Sequence, residues 1–370
     1  MKTARTIAFA EKIINGKMEL DYFSKFHNTV IFRQARSRIS IQEIDQIQAT
    51  LYHNGIISQV QETSGDYLLR LLLDYSKVKQ EDRRINLALF IVTIFTTTLT
   101  GAMLSGNNPF LTIPEFLSGL PYSFAVLGIL GAHEMGHYLY AQKYRINTTL
   151  PYFIPFFLPA FTFGTFGAFI KMRSPIPNKK ALLDVGIAGP IAGFIVSLVF
   201  LIVGFLMLPD AEGVREYITQ IHEWSDYGVG ALTLGNSLLF EFIRASMGAG
   251  HLPMYEIYHY PFIFAGWIGL LVTALNLLPI GQLDGGHISY ALLGKKAKYV
   301  AIGAFVALAL LNFYSTNWIL WTIMILLIIR LKHPPTMDDR IKLDPPREWL
   351  AWASYIIFIT CFSPMPIYIG

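Results

Sequence analysis

The chain has 370 residues, of which 53% are hydrophobic and only 15% charged, and its mean hydropathy is +0.45. Charge this sparse lies well below the roughly 25% of a soluble domain, which excludes one large water-soluble core and points to an α-helical polytopic membrane protein. A formal net charge of +4 gives no reason to expect nucleic acid as a partner, and a single cysteine, Cys361, excludes an intrachain disulfide and a Cys-rich metal site.

Residues 1–84 read as a small soluble α+β unit. The opening MKTARTIAFAEKII has too short an apolar run for a signal peptide. VIFRQ (30–34) reads as a strand and SIQEIDQIQATLYHNG (40–55) as a helix. Ser40 and Glu43 form a capping-box pattern, Ile41, Ile44, Ile47 and Leu51 share one face, and Asn54-Gly55 is a stop signal. IISQVQ and YLLRLLLDY flank a Ser64-Gly65-Asp66 turn and read as a hairpin. No catalytic motif is recognisable here, so a docking or regulatory role toward a cytosolic partner is expected.

Residues 85–370 hold seven candidate transmembrane helices, at about 85–104, 121–143, 184–208, 261–283, 297–313, 317–331 and 349–367. A crossing takes about 20 apolar residues. The pair between 297 and 331 reads as a tight hairpin because its combined length is too great for one helix. Loop charges alternate as seven crossings require. Lys143, Arg145, Lys171, Arg173, Lys179 and Lys180 fall between spans two and three, Lys295, Lys296 and Lys298 after span four, and Arg330 and Lys332 after span six. The intervening loops are acidic or nearly uncharged: 105–120 carries only Glu115, and 209–260 sets Arg215 and Arg244 against seven acids. The N-terminus is therefore expected in the cytosol and the C-terminus outside.

LPYFIPFFLPAFTFGTFGAFIKMRS (150–174) fits no span. It is apolar but broken by Pro151, Pro155 and Pro159, and both its flanks are basic. Two readings stand level: a loop lying on the surface, or a re-entrant strand lining a cavity, where alone non-helical backbone survives at membrane depth.

His133-Glu134-Met135-Gly136-His137 lies inside the second span. On a helix the two histidines, four apart, project from one face and can share a zinc ion, while the glutamate acts on a water that the metal activates. Ionisable groups at bilayer depth cost roughly 2.5–3.5 kcal/mol each on insertion scales, so they mark function more readily than packing. A catalytic zinc usually has three protein ligands and one open position. Asp284, in LNLLPIGQLDGGHI (275–288), is the candidate third ligand, since Pro279 and Gly281 break the helix and let a carboxylate turn inward. Asn276 is placed either to donate to a developing oxyanion, worth roughly 3–4 kcal/mol where measured, or to pack between helices. His287 is a neighbouring group or a rival ligand, ranked below Asp284 because an oxygen completes a His₂-carboxylate set. The other histidines, His27, His53, His222, His251, His259 and His333, are expected to be solvated.

HEMGH in one span, GPIAG (189–193) opening the next, and NLLPIGQLDGG later resemble, in order and spacing, the site-2 protease family of intramembrane zinc metalloproteases. GTFGAFIKMRSPIPNKKALLDVGIAGP (164–190) is similar to its bacterial and plastid members, and the resemblance covers roughly residues 85–368. It implies one zinc per chain, with His133, His137 and Asp284 as ligands, Glu134 as general base and Asn276 assisting at the carbonyl. It makes GTFGAFIKM the membrane-embedded β element. The substrate implied is a transmembrane protein cut within its own span in the lipid bilayer. The 209–260 loop is too short for the family's usual PDZ insertion. A bacterial plasma membrane is the expected location, with the site in the cytosolic half of the bilayer. The competing class is a metal transporter or metal-sensing membrane protein using the same residues. It would be expected to show internal repeats, and none is convincing. A non-catalytic relative would be expected to lack Glu134.

Overall fold

The computed structural model describes residues 2–24, 29–54, 56–62, 65–72, 83–158, 163–224 and 232–369. Gly55, Ser64, Pro159 and His27, singled out from the sequence, lie outside these residues.

The N-terminal part begins with α1 (Lys2–Ile14), followed by β1 (Glu19–Ser24), β2 (Thr29–Ala35), α2 (Ile41–His53), β3 (Ile57–Glu62) and β4 (Asp66–Leu72). The expected strand, helix and hairpin are all present; α1 and β1 were not foreseen. Ser40 caps α2 in the expected manner. Its side chain accepts from the Glu43 N–H while the Glu43 carboxylate accepts from the Ser40 backbone. Lys17 and both Ser40 donors hold the Glu43 carboxyl down at about 2. The strands form one antiparallel sheet in the order β1-β2-β4-β3. Val30, Phe32, Leu69, Leu71 and Val60 bury one of its faces against Ile44, Ile47 and Leu51 of α2 and Ala10 and Ile14 of α1.

The remainder is mostly helical. In chain order come α3 (Arg83–Leu104), α4 (Ile113–Leu117), α5 (Leu120–Lys143), β5 (Tyr152–Pro155), β6 (Thr165–Phe169), α6 (Lys179–Leu206), α7 (Ala211–Trp224), β7 (Leu232–Leu234) and α8 (Leu238–Ser246). Then follow α9 (Pro261–Asn276), α10 (Asp284–Leu293), α11 (Ala297–Leu311), α12 (Trp318–Met324), α13 (Pro345–Cys361) and β8 (Ile367–Ile369). Three stretches among the described residues are long and apolar enough to cross a membrane: Arg83–Leu104, Ile113–Lys143 and Lys179–Leu206. α9 is apolar but shorter. Large apolar side chains face outward along these helices, among them Ile91 and Phe95 on α3, Ile195 and Val199 on α6, and Ile356 and Ile359 on α13. In water such a surface would be a liability; against lipid it is the required one.

Three expected boundaries change, one of them in the last span, drawn at 349–367, whose helix ends at Cys361 before β8 begins at Ile367. The span drawn at 261–283 stops as a helix at Asn276, turns through residues 277–283, and restarts at Asp284. Pro279 and Gly281, with φ at +55°, prevent its continuation. The pair at 297–331 is indeed two helices, but the second runs into a π-turn at Ile325–Ile329.

α5, α6 and α9 form the centre. His137 and His133 of α5 lie against Gly189 and Gly193 of α6, and Phe124 against Phe200, so these helices are antiparallel. α9 also runs against α6, as Gly266 meets Leu201 and Ile263 meets Gly204. α5 and α9 therefore share one direction, as two spans separated by a third must. Tyr122, Ile129, Leu201, Phe205, Phe264 and Trp267 fill the space between them.

β5 and β6 pair antiparallel beside this core, with an irregularity between Phe153 and Pro155. Side chains from α3 and α5 satisfy the backbone that the short hairpin leaves open. Asn86 donates to the Leu150 and Pro151 carbonyls, Thr96 to that of Gly164, and Tyr122 to that of Phe163.

Candidate metal centre

The HExxH segment lies in the second half of α5, and all three polar residues are buried: His133, Glu134 and His137 are 5%, 7% and 6% exposed. Their room is made by α6. A methyl group on Gly189 would land on the His137 imidazole, and one on Gly193 would come within 3.2 Å of His133 Nδ1. The glycines are four residues apart, as are the histidines, so each ring lies over its own gap. Gly136 does the same for the backbone, since a Cβ there would sit 2.5 Å from the Ala188 carbonyl oxygen.

Asp284 reaches the histidines because α10 starts at that residue. Leu283 is extended, and the first helical residue swings toward α5. Gly285 and Gly286 let the start of α10 pack onto the carbonyls of the preceding turn at Leu277 and Gly281.

Three atoms converge. His133 Nε2 and His137 Nε2 are 3.1 Å apart, and Asp284 Oδ2 is 3.4 Å from the first and 3.3 Å from the second. Ligands at 2.0–2.1 Å from a tetrahedral zinc are separated by about 3.3–3.4 Å, so this triangle is the face of such a site. The chemistry agrees. His137 Nδ1 is 2.7 Å from the Val185 carbonyl oxygen, which only accepts, so Nδ1 carries the hydrogen. In the neutral ring Nε2 then presents a lone pair to a carboxylate oxygen, and a cation between them removes the conflict. The donor set fits zinc.

Asn276, the last residue of α9, places its amide nitrogen 3.3 Å from His133 Nε2, at the edge of the triangle. The Glu134 carboxylate is faced by the backbone N–H of Ile170, the residue after β6. The hairpin thus ends at the glutamate, a link that no spacing in the sequence reveals. His287 is not part of the triangle. Its Nδ1 lies 2.5 Å from His333 Nε2, and its Cβ lies against Gly186 of α6.

The expected solvation of the remaining histidines fails for two of them. His259 is 6% exposed, and His333 is partly buried, stacked on Tyr290 with ring centroids 4.6 Å apart. Burial, and then the neighbouring His287, push the His333 imidazole down to about 3. The reason is tertiary: His259 packs onto the end of α3 at the Leu104 carbonyl, and His333 packs onto His287 and Tyr290 of α10.

The sequence profile of Peptidase family M50 matches residues 121–313. The chain is 30% identical over 257 residues to the probable chloroplastic zinc metalloprotease EGY1 of Arabidopsis thaliana, covering 69% of this chain and 44% of that one. It is 33% identical over 239 residues to the probable chloroplastic zinc metalloprotease EGY2 of Oryza sativa subsp. indica, covering 62% and 41%. The chain spans less than half the length of these curated relatives. No solved structure matches it.

Proposed function

The chain belongs to peptidase family M50, and from that membership we propose that it is an intramembrane zinc metalloprotease, hydrolysing a peptide bond within the transmembrane segment of a membrane-protein substrate. The observation that carries this reading is the convergence of His133 Nε2, His137 Nε2 and Asp284 Oδ2 at tetrahedral ligand spacing, with Glu134 beside them.

His133, His137 and Asp284 would hold one zinc. When bound, the ion polarises the scissile carbonyl and acidifies water at the site. Glu134 takes the water's proton and passes it to the leaving amine nitrogen. Asn276 donates its amide hydrogen to the carbonyl oxygen as negative charge develops there. The substrate's helix must unwind to expose that carbonyl, and β6 offers its unwound backbone a strand to pair with.

In this proposal residues 85–370 form the protease domain, with seven spans and β5–β6 as a re-entrant element. Residues 1–84 form a cytosolic accessory domain open to a partner. The side chains of Asn86, Thr96 and Tyr122 on the hairpin's carbonyls support the re-entrant reading, since a loop on the surface would use water instead. The loop charges support a cytosolic N-terminus and a site in the cytosolic half. His137 is six residues, about 9 Å, from the basic end of α5. The membrane proposed is the bacterial plasma membrane, although the matched relatives are named chloroplastic.

The test is zinc content together with cleavage of a single-span substrate by the chain purified in detergent. Wild type should hold zinc and cleave. Glu134→Gln should hold zinc and lose at least a hundredfold in rate. Wild-type protein that binds zinc yet cleaves no such substrate would favour the metal-transport or metal-sensing alternative.

A further inference from the structure

A second set of metal-ligating side chains lies at the other end of the bundle. His222 stands in the last turn of α7, while Glu256 precedes and His259 ends the 3-10 turn Ile257–His259 that leads into α9. His222 Nε2 is 3.2 Å from Glu256 Oε1 and 3.3 Å from Oε2, and His259 Nε2 is 3.3 Å from Oε2. One ligand atom from each of the three lies within 4.8 Å of the others. α9 separates this cluster from Asn276 by its whole length, 16 residues or about 24 Å. It is no part of the centre around Asp284.

His259 gives the second, independent observation. Its Nδ1 is 2.5 Å from the Leu104 carbonyl oxygen at the end of α3. That oxygen only accepts, so Nδ1 carries the hydrogen. Nε2 is buried, and among the described residues it has no hydrogen-bond partner. In the neutral ring it presents a lone pair to a carboxylate oxygen. Glu256 is itself 4% exposed, and among the described residues its ion-pair partners are these two histidines alone. A buried carboxylate with no lysine or arginine, facing an orphaned ring nitrogen, calls for a positive charge between them. The His222 side chain is half exposed and leaves the cluster open to water on one side, so a cation has both an entry and a fourth ligand.

We propose that His222, Glu256 and His259 bind a second divalent cation of the zinc class, which fastens α7 and the end of α3 to the start of α9. Two imidazoles and one carboxylate suit a borderline ion such as Zn²⁺ over Mg²⁺ or Ca²⁺, which take oxygen ligands. This site stands independently of the proteolytic reading.

The experiment is zinc binding by the full chain in detergent micelles, measured by elemental analysis after equilibration with a zinc buffer. Wild type should hold two zinc ions per chain, His222→Ala and Glu256→Gln one, His133→Ala one, and the His133→Ala/His222→Ala double variant none. His222 is at the surface, so its replacement tests the site without opening the core. Thermal unfolding of His133→Ala should shift upward on adding zinc, and that shift should vanish in the double variant. Unchanged stoichiometry in both His222→Ala and Glu256→Gln would overturn the proposal and assign the cluster to a proton shared between His259 and Glu256. If instead the zinc centre around Asp284 alone is wrong, His133→Ala keeps the wild-type count while His222→Ala still loses one ion; failure of the proteolytic reading alone shows as absent cleavage with these counts unchanged.

Discussion

At Gly189 a single added methyl group meets the His137 ring, and the ring has nowhere to retreat, because its Nδ1 is tied to the Val185 carbonyl on the same helix. Gly189→Ala should therefore tilt the imidazole and weaken zinc binding at this centre by roughly 10–100-fold, the range seen when a ligand's support is lost. Chelator competition on the purified chain checks this, and Glu134→Gln, which leaves the ring alone, should show no such loss. Gly193→Ala faces a looser 3.2 Å contact with His133 and should cost less. His133, Glu134 and His137 could be found from sequence because one helix carries all three at a fixed spacing. The glycines could be seen as a motif but not explained, since their reason lies on another helix. His259 was misjudged for the same cause: its burial comes from Leu104, 155 residues away.

Among elements, the β5–β6 hairpin is irregular in register, and the residue that follows it, Ile170, turns its N–H to Glu134. β6 pairs only with β5 among the described strands, and in the proposed mechanism its other edge takes the substrate strand. Proline in place of residues 166–169 removes their N–H groups and breaks the strand. It should abolish cleavage while zinc content stays at the wild-type level; retained cleavage would sink the pairing role. Sequence alone left this segment undecided, because its strand character depends on Asn86, Thr96 and Tyr122 from two other helices. The break after Asn276 was readable from Pro279 and Gly281, but not the restart at Asp284 that aims the carboxylate. The segment beyond α12 carries a pH dependence. His333, held down to about 3 in the fold, titrates near 6.5 when unfolded. Between those values the unfolded chain binds the extra proton, so stability falls as pH drops from about 6.5 toward 3. Thermal unfolding across that window should fall less steeply for His333→Gln than for wild type.

For the whole molecule, the N-terminal sheet is joined to the helical part through residues 335–340. The edge strand β3 takes a backbone bond from Val60 N–H to the Met337 carbonyl, and Gln59 donates to the carbonyls of Pro335 and Thr336. Met337 and Asp338 in turn donate to the Ile176 and Pro177 carbonyls, just before Asn178 caps α6. Arg340 locks the junction, binding Asp338 beside it and Asp45 on α2. Arg340→Ala should loosen the docking by about 1 kcal/mol and raise the undocked population about fivefold. Faster proteolytic release of the N-terminal unit, with no change in zinc content, would register it. The α+β character of this unit could be read from alternating residues and the Ser40 cap. Its docking could not, since Gln59 and Thr336 are 277 residues apart.

That separation sets an order of events during synthesis. The sheet's own strands leave the ribosome long before residues 335–340, so β3 lacks its outer neighbour until the stretch after α12 has been made. Until then the nascent chain carries an open strand edge, able to pair with other polypeptides. Closure of that edge by Met337 and Asp338 can follow only once every helix up to α12 has been synthesised, so the N-terminal unit docks late, as a seal on helices already made.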